Sequence, residues 1–93
     1  MNIGERGLAL IKSFEGLRLR AYMPTPDDVP TIGYGSTKGV VMGMEITKEE
    51  ANARLLADLA DAEACVNRRC TGITITQNQY DALVSLVFNI GCG

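Results

Sequence analysis

The chain has 93 residues, a net charge of -2 and no histidine, so one domain spanning 1–93, with a single modest core, is expected. The 46% hydrophobic and 22% charged content is that of a globular protein, and the mild acidity argues against a nucleic-acid partner, which calls for a basic patch. Without histidine, a zinc site would need Cys65, Cys70 and Cys92 plus a carboxylate, and these cysteines lack the paired CxxC spacing. Neither a metal nor a cofactor is expected.

In chain order, residues 3–14 read as a helix, because Leu8, Ile11 and Phe14 recur on one stripe with Ile3 and Leu10 beside it. Asn2 suits the N-cap and Gly16 the stop. Glu15 then falls in or just past the last turn. A carboxylate there faces the negative end of the helix dipole, which disfavours its charge. Residues 17–22 alternate apolar and polar as a short strand does, with Leu17, Leu19 and Ala21 on one side. "MPTPDDVP" is a turn region, since its three prolines fit neither a helix nor a central strand. "TIGYGST" follows as a strand and "KGVVMGM" continues it. Gly33 and Gly35 weaken that strand; they suit a sharp hairpin bend or a close approach to the backbone.

A long helix starts at "TKEE", with Thr47 as N-cap and Glu50 as its capping-box partner. Its buried stripe is Ala51, Leu55, Leu59, Ala62 and Val66. The last helix starts at "TQNQ", with Thr76 and Gln79 in the same roles and Ile75 and Tyr80 placed as a hydrophobic staple. Tyr80, Leu83, Val84, Val87 and Phe88 form its apolar face, and Asn89 and Gly91 mark its stop. The order of elements is α+β. Three cysteines leave one unpaired in any scheme: Cys65 and Cys70 are close enough in sequence for a local bond in an oxidising compartment, and free half-buried thiols are the plainer expectation. No signal peptide and no apolar run of membrane-spanning length is visible, so no membrane partner is expected and the chain as given would be made and held in the cytoplasm.

Serine and cysteine nucleophile schemes fail for want of a histidine base. Carboxylate chemistry remains. Glycoside hydrolysis needs one acid to protonate the leaving oxygen and a second group to handle water. Glu15 suits the first role, and Asp27, Asp28 and Thr31 are the nearby polar groups for the second. Solvated loop acids are the plain alternative for both aspartates.

"FEGLRLRAY", "TIGYGST" and "TITQNQYDALVSLVFNIGCG", in this order, resemble the phage-type lysozymes, the endolysin muramidases of glycoside hydrolase family 24. The resemblance runs over essentially the whole chain. It implies a lysozyme-like fold, with an N-terminal lobe whose β region covers 13–46 and linking and core helices over 47–93. It implies hydrolysis of the β-1,4 bond between N-acetylmuramic acid and N-acetylglucosamine in peptidoglycan, and lysis of the host. The route it implies is residence in the host cytoplasm until release to the periplasm and cell wall.

The family pattern is a Glu, eight residues, an Asp, five residues and a Thr. Glu15 matches the acid and Thr31 the threonine, one position late, while the aspartate position falls on Pro24. Asp28, and after it Asp27, is the expected replacement. Ser36 stands where many relatives have a histidine. Relatives usually continue into a helical second lobe, so the chain reads as the N-terminal part, with helix 76–90 exposed for self-association. A lytic transglycosylase, which manages with one acid, and an inactive peptidoglycan-binding fragment are the competing readings.

Overall fold

The capping boxes and the glycine stops shape the secondary structure. In the computed structural model, which describes residues 1–92, the elements run α1 (Glu5–Glu15), β1 (Arg18–Tyr22), β2 (Thr31–Gly33), α2 (Lys48–Arg69) and α3 (Gln77–Ile90). β1 and β2 are antiparallel, pairing Arg18 with Gly33 and Tyr22 with Thr31, with an irregularity between. The α+β expectation is met. No helix among the described residues is long and apolar enough to cross a membrane.

Both capping boxes form. At α2 the Glu50 N–H donates to Thr47 Oγ1 at 3.1 Å and the Thr47 N–H to Glu50 Oε1 at 3.3 Å. At α3 the Gln79 N–H donates to Thr76 Oγ1 at 3.1 Å and the Thr76 N–H to Gln79 Oε1 at 2.9 Å. Each satisfies two amides that a helix start would otherwise leave unpaired. Gly91 closes α3, its N–H donating to Val87 O at 2.7 Å.

Three expectations need correction. α1 starts at Glu5, not residue 3, and Asn2 does not cap it. The Ile3 N–H is taken by Glu63 Oε2 at 2.7 Å and the Gly4 N–H by Asp81 Oδ1 at 3.0 Å, so tertiary partners hold these residues outside the helix. "KGVVMGM" is not a strand. It makes two turns, with Val40 N–H donating to Thr37 O and Met44 N–H to Val41 O. The chain then returns beside β1, where Ala21 N–H donates to Met44 O and Ile46 N–H to Leu19 O, both at 2.9 Å. Of the expected apolar side of residues 17–22 only Ala21 is buried, while Leu17, just before β1, and Leu19 are exposed.

The cysteine reading changes too. Cys65 is bonded to Cys92, with Cα atoms 6.0 Å apart, and Cys70 is the free thiol. Five positions along a helix separate Cα atoms by about 7.5 Å in rise alone and turn them to different sides. That is too far for a Cys65–Cys70 bond.

Two compact units are distinguished. One comprises Met1–Ser13 and the described residues from Asp58 onward. Its core is Ile11, Leu59, Ala62, Cys65, Val66, Tyr80 and Val84. α1 meets α3 closely here: a methyl added at Gly7 would lie 2.7 Å from Asp81 Cγ. The Tyr80 hydroxyl donates to Met1 O at 2.8 Å, and the Asn67 side chain donates to the same oxygen at 3.0 Å. On α3, Leu83, Val87 and Phe88 are half-buried, and Ile90 is 74% exposed. The other unit is Phe14–Ala57, built on Ala21, Ile32, Tyr34, Val40, Ile46, Ala51 and Leu55.

Gly7→Ala gains up to ~1 kcal/mol of helix propensity. It also forces an overlap with Asp81 that costs about 1–3 kcal/mol, so chemical denaturation should show a net loss of stability. Burial pushes the Tyr80 phenol above its ordinary value, and the Glu63 carboxylate adds to the push. The neutral phenol is therefore favoured by folding. Its stabilisation is fully present below the unfolded value of about 10 and is lost as pH rises through the higher folded one. Tyr80→Phe should cost about 1 kcal/mol near neutrality and flatten the decline of stability at alkaline pH, read from denaturation midpoints across pH.

Candidate active site

The unit Phe14–Ala57 holds every residue singled out for catalysis. α1 ends at Glu15, and Gly16 at φ 69° turns the chain out of the helix into β1. Glu15 is half-buried. Gly35 lies beside it: an added methyl there would lie 2.8 Å from Glu15 Oε2 and 3.5 Å from Cδ.

Gly35 belongs to a tight turn. Ile32 N–H donates to Ser36 O at 2.9 Å and Ser36 N–H to Ile32 O at 2.8 Å, leaving Gly33, Tyr34 and Gly35 as the loop. Gly33 and Gly35 have φ of 66° and 82°, a region that residues with a Cβ enter at a cost. "TIGYGST" is thus a three-residue strand and a hairpin bend, not a longer strand. Ile32, Tyr34 and Ser36 are buried, and Gly33 packs against Ala51 of α2. Arg54 of α2 donates to Lys38 O at 3.0 Å and to Ser36 Oγ at 3.4 Å. Ser36 is 2% exposed and serves the packing of the turn.

The loop between the strands places the other candidates. Asp28 N–H donates to Thr25 O at 3.1 Å, closing a β-turn with Asp27 at its centre. Asp28 Oδ1 accepts the Val29 N–H at 2.8 Å. Thr31, at the start of β2, is buried, and its hydroxyl donates to Val29 O at 3.0 Å. Asp28 and Thr31 are therefore both tied to the Val29 main chain, whereas Asp27 is an exposed turn residue. Glu15 has its neighbour in Gly35, and Asp28 has its partners within its own loop. Among the described residues no group of three or more His, Cys, Asp or Glu side chains could hold a metal ion.

The sequence matches the Phage lysozyme family over residues 12–93. The chain belongs to the phage lysozyme family. It is 50% identical over 91 residues to the endolysin of Acyrthosiphon pisum secondary endosymbiont phage 1, covering 98% of this chain and 61% of that protein. Among solved structures it is similar to the endolysin from Escherichia coli O157:H7 phage FAHEc1, with a TM-score of 0.90 and 47% identity over 99% of this chain and 60% of that one. It is also similar to the muramidase domain of SpmX from Asticaccaulis excentricus, with a TM-score of 0.86 and 46% identity over 98% of this chain and 60% of that one. The chain thus has the lysozyme-like α+β fold and spans about three fifths of the length of these phage lysozyme relatives.

Two neighbours were not foreseen from the sequence. Arg54 carries no sequence signal for its bonds to Ser36 and Lys38, and the glycines of the turn signal only a close approach to the backbone, not that Glu15 is what approaches Gly35. Replacing Thr31 by Val keeps the shape but removes the bond to Val29 O. A stability loss of about 1 kcal/mol is expected in denaturant titration.

Proposed function

We propose that this protein hydrolyses the β-1,4 bond between N-acetylmuramic acid and N-acetylglucosamine of bacterial peptidoglycan, with Glu15 as general acid. The observation that carries the reading is the placement of Glu15 at the end of α1, half-buried and against the Gly35 turn. General acid catalysis needs the donor fixed beside the leaving oxygen, and a helix terminus backed by a closed turn supplies a fixed point. Relatives named as an endolysin and a muramidase domain support peptidoglycan as the substrate class.

In this reading Thr31 and Asp28 handle the water. The proton of the Thr31 hydroxyl is engaged by Val29 O, so the hydroxyl meets water as an acceptor. Asp28 is preferred to Asp27 because it shares the Val29 anchor with Thr31. Water activated at the anomeric carbon leaves a reducing muramic acid end as the proton from Glu15 passes to the departing sugar oxygen. The protein is made in the host cytoplasm and acts at the cell wall, and the Cys65–Cys92 bond suits the oxidising side of that route.

Turbidity of permeabilised Gram-negative cells provides the test. Wild type should clear the suspension, and Glu15→Gln should lower the rate by roughly 10²–10⁴-fold, the usual worth of a general acid. Asp28→Asn should slow clearing more than Asp27→Asn does. Clearing by Glu15→Gln at the wild-type rate would overturn the assignment. A 1,6-anhydro product end would reassign the chain to the transglycosylases.

A further inference from the structure

We infer that Gly35 is a positioning residue for Glu15: the bare Cα of this turn is the wall against which the carboxylate rests, and its lack of a side chain sets where the acid points. The inference rests on the reading of Glu15 as general acid. A methyl on Gly35 would stand 2.8 Å from Oε2, closer than real Cβ contacts come, and 3.5 Å from Cδ. No other atom outside the turn comes within 4 Å of that point, so Oε2 faces the turn and Oε1 points away from it. With Glu15 as the general acid, the oxygen turned away from the wall is the one left to deliver the proton.

The wall itself has little freedom to retreat. Reciprocal bonds between Ile32 and Ser36 close the turn, its own Ile32 and Tyr34 side chains are buried, and Gly33 packs on Ala51. Arg54 ties Ser36 and Lys38 to α2. A side chain at position 35 would therefore move the carboxylate and leave the turn in place. Two features of Gly35 must be separated, because its φ of 82° also penalises a Cβ regardless of space.

A double-mutant cycle separates them. Thermal midpoints are compared for wild type, Gly35→Ala, Glu15→Ala and the double variant. If the carboxylate contact is the constraint, Gly35→Ala lowers the midpoint in wild type, and the loss falls to about half or less once Glu15 is truncated. An equal loss in both backgrounds, or failure to fold in both, would assign the cost to the backbone alone and overturn the inference. Steady-state hydrolysis of glycan strands gives the second readout: Gly35→Ala should lower kcat by about 100-fold, the scale of a misplacement near 1 Å, with KM within about twofold. Loss appearing mainly in KM would also overturn it. Should wild type prove inactive, the reading of Glu15 as an acid fails, while the thermal cycle still decides whether Gly35 positions it.

Discussion

The buried stripe of α2 is the constraint on which both units depend. Ala51 and Leu55 supply the core of the β-containing unit, and Leu59, Ala62, Cys65 and Val66 supply that of the other. Each buried aliphatic side chain of this kind contributes about 1.5–3 kcal/mol relative to exposure. In a chain of 93 residues such contributions are a large part of the margin over conformational entropy. The small size of Ala51 has a further effect, since it lets Gly33 pack at the α2 surface and so seats the turn that carries Gly35. Helix packing and site geometry meet at that one alanine.

What the sequence revealed depended on whether the deciding contacts were local. The capping boxes at Thr47 and Thr76, the stops at Gly16 and Gly91 and the whole α2 stripe were legible because they obey short-range rules. The start of α1 was not, because Glu63 and Asp81, distant in sequence, take the amides of Ile3 and Gly4. Residues 38–44 misled because valine and methionine fit a strand, while the positive φ of Gly39 and Gly43 bends the chain into turns. The cysteine pairing was beyond reach for the same reason, since Cys92 approaches Cys65 across a separation of 27 residues.

The site shows the same division. Glu15 stood out by its place at a helix end, and Thr31 by its place at the start of a strand. The Val29 anchor, by contrast, comes from a main-chain segment with no sequence signature. It gives Asp28 and Thr31 a shared reference. The β-turn at Thr25–Asp28 follows directly on Pro24 and carries both aspartates of the loop.

The Cys65–Cys92 bond links α2 to the residues just beyond α3. Closing a loop of that length restricts the unfolded chain by roughly 3–4 kcal/mol in the loop-entropy account. Where thiols are kept reduced, the same chain therefore populates its unfolded form some several hundred-fold more, roughly, than after oxidation. Proteases that act on opened chains sample that population. The oxidation state of this one bond thus sets how readily such proteases find the chain open, with the reduced form the more easily cut.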